Sequence, residues 1–287
     1  AIRAGKILQK YQAKDPQVLS ALIGNIYEGR ERNRLLGHDR PINSISITND
    51  GKTIVSGSFD NTIKVWNLET GALIRTLTGH ESLVYSVSIS NNGQTIVSGS
   101  DDKTIKIWNL ETGELIRTLT GHNNPVWSVS ISNDGQTIVS SSSGNTIKVW
   151  DLETGELIRT LKGHYYTVWS TNISNDGQTI VSGSSDNTIK VWVLETGELI
   201  RTLKGHNNLV SSVSISKDGQ TIVSGSNDKT IKVWNLETGE LIRTLTGHND
   251  SIWSVSISDD GQTIVSGSFD NTIKVWNLET GELIRTL

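Results

Sequence analysis

Serine, histidine and aspartate, the residue types of a nucleophile, a general base and the group that orients the base, recur together along this sequence. The first set is His38, Ser56 and Asp60. Such a set can support acyl transfer or hydrolysis, because the imidazole can take the hydroxyl proton while the carboxylate holds the ring in place. An enzymatic function would have to be argued from these residues.

The same residues return at a constant interval of 42 positions, which argues against catalysis. Each of the six histidines follows a glycine, and a tryptophan stands 28 positions after each histidine. A catalytic site needs one set that faces a pocket, whereas this set recurs in every copy with its tryptophan. The members are His38, Ser56, Asp60 and Trp66; His80, Ser98, Asp102 and Trp108; His122, Ser140 and Trp150; His164, Ser182, Asp186 and Trp192; His206, Ser224, Asp228 and Trp234; and His248, Ser266, Asp270 and Trp276. We therefore predict no catalytic residue.

Other chemistry finds no motif either. The histidines have no second ligand at a metal-binding spacing, no phosphate-binding glycine motif is present, and there is no cysteine. We expect no enzyme, no metal and no cofactor. The net charge of −4 gives no general attraction to nucleic acid or an anionic membrane, so neither is an expected partner. Because no signal-peptide pattern opens the chain, we expect a cytoplasmic protein.

Each copy contains four strand-like runs separated by turns. Asn92 and Gly93, which tolerate positive φ, predict a two-residue hairpin between the first and second runs. A four-stranded sheet of such short strands cannot bury both of its faces alone. Stacking the sheets around an axis covers both faces, which is the propeller solution. In the copy from 79 to 120 the predicted strands are 86–90, 95–100, 104–109 and 115–120.

The Gly-His opening, the closing tryptophan and the period resemble the WD-repeat family of β-propellers from residue 31 to residue 287, and the near-identity of the copies resembles bacterial members. The sequence departs from that family at the residue after tryptophan, where only Asp151 is an aspartate. The other copies have Asn67, Asn109, Val193, Asn235 and Asn277. The predicted fold is therefore an all-β propeller of six four-stranded blades with a short helical N-terminal segment.

The resemblance also implies a structural role for the Ser–His–Asp–Trp sets, which in that family form a buried chain of hydrogen bonds within each blade. A buried indole N–H and a buried imidazole need partners, so the role has a physical reason. The pattern does not decide between Ser56 and Ser58, which point to one face. Gly144 replaces the aspartate in the third copy, so we expect His122 to lack a carboxylate and Gly144→Asp to raise the midpoint of denaturant unfolding.

The count of fourth strands is uneven, because both residues 31–36 and residues 282–287 match it. In the resembled family the N-terminal copy usually completes the last blade, but here the C-terminal copy can do so through a much shorter loop. We expect six blades closed by the C-terminal strand, and a seven-bladed parent that has lost material is the alternative. The surplus strand could also be exchanged with a second copy, which would produce a dimer.

Residues 1–30 stand outside the repeat and predict two short amphipathic helices, the second beginning at Asp15 and Pro16. We interpret this segment as a linker or docking element that precedes a propeller domain at residues 31–287. Because the sequence begins at Ala1 and contains no methionine, we expect a piece of a longer signalling protein.

The copies differ mainly in the loop after Gly-His and in the turn between the second and third strands, which lie at the same end of a blade. An apolar spacing of three and then two at Val126, Val129 and Ile131 predicts a β-bulge that turns Trp127 toward this end. Tyr and Trp on a rigid surface are typical anchors of protein recognition, so we predict that a protein or peptide binds here. Glycan binding, an enzyme with a pocket in the central channel, space filling between blades and a purely structural role are the alternatives. The aromatic residues of this variable face are Phe59, Tyr85, Trp127, Tyr165, Tyr166, Trp169, Trp253 and Phe269.

Overall fold

The computed structural model describes residues 35–287, and this part of the chain consists of β-strands and the turns that join them. The helices predicted in residues 1–30 lie outside the described residues. In chain order the strands are β1 (Ile42–Ile47), β2 (Thr53–Ser58), β3 (Ile63–Asn67), β4 (Leu73–Leu77), β5 (Val84–Ile89), β6 (Thr95–Ser100), β7 (Ile105–Asn109), β8 (Leu115–Leu119), β9 (Val126–Ile131), β10 (Thr137–Ser142), β11 (Thr146–Asp151), β12 (Leu157–Lys162), β13 (Val168–Ile173), β14 (Thr179–Ser184), β15 (Thr188–Val193), β16 (Leu199–Lys204), β17 (Val210–Ile215), β18 (Thr221–Ser226), β19 (Ile231–Asn235), β20 (Leu241–Leu245), β21 (Ile252–Ile257), β22 (Thr263–Ser268), β23 (Ile273–Asn277) and β24 (Leu283–Thr286).

Each group of four consecutive strands forms one antiparallel sheet in chain order, which we call a blade, so that β1–β4 form the first blade and β21–β24 the sixth. The prediction of six four-stranded blades is confirmed. The first strands of neighbouring blades lie side by side and surround a central channel. The fourth strands are largely exposed, which places them at the outer rim.

The loop between the first two strands of a blade is longer than predicted. Residues 90–94 join β5 to β6, and only Gly93 among them has a positive φ, of 70°. The side chain of Asn92 accepts hydrogen bonds from the Ser90 hydroxyl and the Gln94 amide, at 2.7 and 3.0 Å. The prediction of a two-residue hairpin is therefore wrong, because these side-chain hydrogen bonds stabilise a wider turn in which asparagine keeps a negative φ.

The hydrophobic core lies between blades rather than within them. Five clusters of buried side chains each join one blade to the next along the chain. Burying one such aliphatic side chain contributes about 1.5–3 kcal/mol, so each cluster of seven or eight side chains is a major part of the stability. The cluster between the fifth and sixth blades contains Val223, Ile231, Val233, Leu245, Ile252, Val255, Ile264 and Trp276.

The side of the ring between the sixth and first blades is different. The C-terminal strand β24 pairs with β23, with Thr286 opposite Lys274, and so completes the sixth blade. Within residues 35–287, however, no apolar cluster joins this blade to the first, and the corresponding side chains, Ile45 and Ile273 among them, are exposed. The expectation that the C-terminal copy of the fourth strand completes the last of six blades is confirmed, although this strand leaves uncovered the side of the sixth blade that faces the first. We call this side the open side.

Candidate functional site

A β-bulge in the first strand of each blade directs one side chain toward the end of the channel. In the third blade Ser128 pairs with Ser141 and Val126 with Ser142, so Trp127 has no partner across the ladder. The apolar side chains before and after the bulge remain in the blade interface. This is the bulge that the spacing of apolar residues predicts, and the same register shift occurs in all six blades.

The aromatic rings at this end of the channel form one continuous row, which we call the aromatic row. The rings of Tyr85 and Trp127 are stacked with centroids 4.0 Å apart, and Trp127 is 4.5 Å from Trp169. Trp169 contacts Trp253 at 5.8 Å in an edge-to-face arrangement. Such pairs add about 0.5–1.5 kcal/mol each beyond the area they bury. Phe59 and Phe269 stand at the two ends, next to Tyr85 and Trp253 respectively.

Hydrogen bonds fix the orientation of these rings. The Nε1–H groups of Trp127 and Trp169 donate to the hydroxyls of Ser143 and Ser185, both at 2.6 Å. These serines lie in the turn between the second and third strands of the same blade. Burial and then the neighbouring charge of Asp101 raise the pKa of Tyr85, which keeps the phenol protonated. Trp127 and Trp169 are therefore held in place by hydrogen bonds as well as by ring contacts.

The fifth blade contributes no ring to the row, since Ser211 stands where the third and fourth blades have tryptophan, and Trp169 and Trp253 contact each other past this position. The Ser211 hydroxyl donates to the carbonyl oxygens of Gly225 and Ile252, so the short side chain is accommodated within the fold. A cavity of about 140 Å³ lies at this end of the channel, between the aromatic row and serine side chains of the first strands. Its volume suits a single side chain of a ligand.

Tyr165 and Tyr166 lie in the loop before β13 and are the most exposed aromatic residues of the variable face, at 80% and 64%. Phe269 is also exposed, whereas Tyr85 is buried and the three tryptophans of the row are half-buried. The structure thus places six of the eight predicted residues in one row of touching rings. The tyrosine pair stands apart from the row on the rim.

The opposite end of the channel is polar. A cavity of about 410 Å³ is lined there by serine and isoleucine side chains and by six longer polar side chains, one from each blade, which the sequence motifs did not single out. Lys217 and Asp259 form an exposed ion pair at 3.6 Å there. The sequence does carry a signal for this site. The residue two positions before the glycine of the first turn is neutral in four copies, positive in one and negative in one. The six side chains are Asn49, Asn91, Asn133, Asn175, Lys217 and Asp259.

Five blades contain the same chain of hydrogen bonds. In the second blade Trp108 Nε1 donates to Ser98 Oγ at 2.9 Å, and Ser98 Oγ lies 2.7 Å from His80 Nε2. His80 Nδ1 donates to Asp102 Oδ2 at 2.7 Å. The other carboxylate oxygen accepts from the hydroxyl of Thr104 at 2.6 Å. This threonine is not among the predicted members of the set, although it stands two residues after the aspartate in each of these five copies.

The first blade resolves the choice between two serines. Ser56 Oγ lies 2.7 Å from His38 Nε2 and accepts from Trp66 Nε1 at 2.8 Å. Ser58 donates to backbone carbonyls in the loop before β1 instead. Ser56 is therefore the member of the chain of hydrogen bonds.

Burial and hydrogen bonding act in opposite directions on the aspartates of these chains. Burial acts to raise the pKa of Asp102, but hydrogen bonds from His80 and Thr104 outweigh it and hold the pKa well below 3.8. The carboxylate is therefore charged and fully engaged. Because Ser98 is completely buried against Trp108, its hydroxyl faces no space that a substrate could enter. The arrangement stabilises the blade.

Glycine before the histidine is part of the same arrangement. Gly79 has a φ of 148°, and a Cβ at this position would lie 3.2 Å from the Trp108 ring. The sixfold Gly-His pair thus permits the close approach of backbone and indole that the chain of hydrogen bonds requires.

Neither a metal centre nor a membrane-spanning helix is found within residues 35–287. No group of three His, Cys, Asp or Glu side chains there could hold a metal ion, and no helix there is long and apolar enough to cross a bilayer.

Comparison with known proteins shows what the repeat is similar to. The family model for "WD domain, G-beta repeat", or WD40, matches most of the chain. The matched stretches are residues 29–67, 71–109, 113–151, 155–193, 197–235 and 239–277.

Two curated proteins match over about one repeat. Ribosome assembly protein 4 of Saccharomyces cerevisiae is 44% identical over 43 residues, which is 15% of this chain and 8% of that protein. The Ribosome biogenesis protein BOP1 homolog of Oryza sativa subsp. japonica is 49% identical over 39 residues, or 14% and 6% respectively. The chain thus aligns with less than a tenth of the length of either relative.

Proposed function

The chain belongs to the WD40 repeat family, and on that premise we propose that it is a non-enzymatic scaffold that binds a protein or peptide at the aromatic end of the channel. The continuous aromatic row carries this proposal. WD40 propellers are in general protein-interaction scaffolds, and the variation between copies in this chain is concentrated at the same end.

Preorganisation supports the choice of this end. Affinity is lost when side chains must be ordered on binding, at about 0.5–1.5 kcal/mol for each one immobilised. Trp127 and Trp169 are already fixed by ring contacts and by hydrogen bonds to Ser143 and Ser185. A ligand that covers their free edges gains apolar contact without that cost.

The separation of the aromatic row from the two rim tyrosines suggests how a ligand is held. The cavity of about 140 Å³ at the row admits one side chain, and the exposed rings of Tyr165 and Tyr166 stand on the rim. A peptide that places an apolar side chain at the row and runs toward the fourth blade would contact both. Tyrosines with exposed rings and hydroxyls then provide contact area together with hydrogen bonds.

Glycan binding by the same face is the second candidate from the sequence. Sugars require a free aromatic face, but the faces of Tyr85 and Trp127 are occupied by each other at 4.0 Å. Only the rim tyrosines and Phe269 are widely exposed. The geometry therefore favours a peptide over a sugar.

We further propose that the scaffold operates in the cytoplasm as part of a larger signalling protein. The names of the two matched relatives refer to ribosome assembly and biogenesis, but each match spans about one repeat. These matches support the assignment of the repeat. The partner that we propose is defined by its chemistry, as a peptide with an apolar anchor residue.

The experiment that tests the proposal is selection of peptides from a displayed random library, followed by affinity measurement with matched variants. Trp169→Ser removes one ring of the row and introduces the residue that the chain itself uses at Ser211. Tyr166→Ala removes a rim ring. Ile200→Ser changes an exposed apolar residue on an outer strand, away from the aromatic row, and serves as the control.

We expect enrichment of peptides with a common apolar residue, and a loss of affinity of at least about tenfold in Trp169→Ser with none in Ile200→Ser. Equal affinity in all variants would refute the proposed site. A glycan array probed with the same proteins covers the second candidate, and binding there without any peptide selection would replace the proposal.

A further inference from the structure

The third blade lacks the carboxylate that ends the chain of hydrogen bonds in the other five. Gly144 stands at that position, while Trp150 Nε1 still donates to Ser140 Oγ at 2.8 Å. Ser140 Oγ lies 2.7 Å from His122 Nε2, as in the other blades. The chain of hydrogen bonds is therefore intact up to the imidazole and stops there.

His122 Nδ1 is buried without a partner. The residue is only 7% exposed, so the atom cannot be solvated freely. In the five complete blades the same nitrogen donates to aspartate. In those blades the aspartate selects the tautomer with the hydrogen on Nδ1, and an acceptor bound here would select the same tautomer. A buried nitrogen without a partner is destabilising, so the site favours a ligand that pairs with it.

A cavity of about 350 Å³ is lined by His122 and by Gly144, which stands where the other five blades have the aspartate. Asn123 and Thr146 also line this cavity. In the second blade the groups equivalent to these two residues donate to Asp102, from the backbone N–H of Glu81 and from the N–H and hydroxyl of Thr104. The cavity thus has the donor arrangement that a carboxylate occupies elsewhere in the same molecule.

The lining of the cavity is also positively charged. Lys148 and Lys162 both border it, and no Asp or Glu does. In the fourth blade the charge of Asp186 acts on Lys190, which is the equivalent of Lys148. In the third blade burial and then the charge of Lys162 lower the pKa of Lys148. A negative ligand would supply the charge that Gly144 removes.

Access is controlled by one flexible side chain. Asn124 Nδ2 lies 2.8 Å from the position that a Cβ at residue 144 would take. Asn124 is exposed at the surface, so its amide can rotate away from the cavity. A ligand can enter by this route without any movement of the strands.

We propose that the cavity of the third blade binds a carboxylate group, which takes the place of the missing aspartate and accepts a hydrogen bond from His122 Nδ1. The carboxylate can belong to a small free acid or to an acidic side chain of a bound peptide. The volume exceeds that of acetate, so a carboxylate carried on a longer ligand fits as well. The proposal does not depend on peptide binding at the aromatic row.

The test is an NMR titration of the whole chain labelled with ¹⁵N-histidine, using sodium acetate against sodium chloride at equal ionic strength and pH 7. We expect a saturable downfield shift of the His122 Nδ1–H resonance with acetate in the millimolar range, while the other five histidines stay unchanged. Gly144→Asp assigns the resonance and should abolish the response, because the carboxylate is then built in. Lys162→Thr introduces the residue that most other copies have at this position, and should weaken acetate binding about tenfold.

A second arm separates the two sources of carboxylate. N-acetyl-aspartate amide is titrated beside its asparagine analogue. Tighter binding of the aspartate compound than of acetate assigns the site to an acidic side chain, and binding of acetate at equal or higher affinity assigns it to a small acid. No shift of the His122 resonance of the unmutated protein with either carboxylate, or the same shift with chloride, would overturn the proposal.

Discussion

The interface between the fifth and sixth blades and the open side of the sixth blade are built from the same residues at equivalent positions. Val223 and Ile231 are completely buried, because the sixth blade covers them, whereas Val265 and Ile273 are 40% and 46% exposed. Leu287 is 63% exposed, although its counterpart in the interface is buried. Identical strands thus differ in burial only because one has a neighbour. The stability of the molecule resides in the contacts between blades, as in a linear array with two ends.

The largest expected difference is in chemical accessibility. The sequence contains no cysteine, so a single introduced thiol reports on one position. Ile45 at the open side of the first blade is 60% exposed, while its counterpart Val213 is 4% exposed. We expect Ile45→Cys to react with a maleimide like a free thiol and Val213→Cys to react at least about 1,000-fold more slowly, since reaction requires an opening that costs several kcal/mol. Equal rates, in proteins with the same circular dichroism spectrum, would contradict the comparison.

Cavity formation should separate the two sides next. Ile231→Ala removes a buried side chain and should lower the free energy of unfolding by about 2–5 kcal/mol. Ile273→Ala changes the equivalent residue at the open side and should cost less than about 1 kcal/mol. Urea unfolding followed by tryptophan fluorescence measures both. Similar losses would show that the sixth blade is covered in solution.

Adding a methyl group, instead of removing side-chain atoms, should also have different effects on the stability of the interface and of the open side. A Cβ on Gly225 would stand 2.7 Å from the Ile252 side chain, but a Cβ on Gly267 would have no atom within 4 Å. We expect Gly225→Ala to destabilise by about 1–3 kcal/mol through overpacking. Gly267→Ala should be neutral or stabilise by up to about 1 kcal/mol, because alanine restricts the unfolded chain. Thermal unfolding of the pair tests this, and a larger loss in Gly267→Ala would be the contrary result.

The smallest difference is expected for the hydrogen bonds inside a blade. His206–Asp228 and His248–Asp270 have the same length, 2.8 Å, on the two sides of the interface. Burial acts to raise the pKa of both carboxyl groups. Hydrogen bonds from histidine, threonine and backbone groups outweigh this effect, so the pKa of each lies well below 3.8. The contribution of each carboxylate to the free energy of unfolding is therefore complete above about pH 3.8, the ordinary pKa, and decreases as the pH falls below it. Asp228→Asn and Asp270→Asn should destabilise equally at pH 7 and lose their effect in acid. A clear inequality at pH 7 would mean that the neighbouring blade contributes to the pair.

Several features could be read from the sequence because they depend on residues close together in the chain. The repeat period, the strand pattern, the bulge at Trp127 and the interruption at Gly144 are of this kind. The choice of Ser56 over Ser58 was not accessible, since both side chains leave the strand on one face and only the position of His38 separates them. The wide turn at Asn92 was missed because side-chain hydrogen bonds compete with the hairpin geometry that the residue types suggest.

The sequence by itself determined the blade, because turn residues, alternation and the Gly-His and Trp positions act within one copy of 42 residues. Only the tertiary structure decided how blades are combined. Ile231 and Ile273 have almost the same sequence around them, yet one is buried and the other exposed. Burial depends on the neighbour that sheet twist and interface packing place against a strand, and those are properties of the whole ring. The aromatic row has the same origin, since its six rings come from five different blades and meet where the blades converge on the channel.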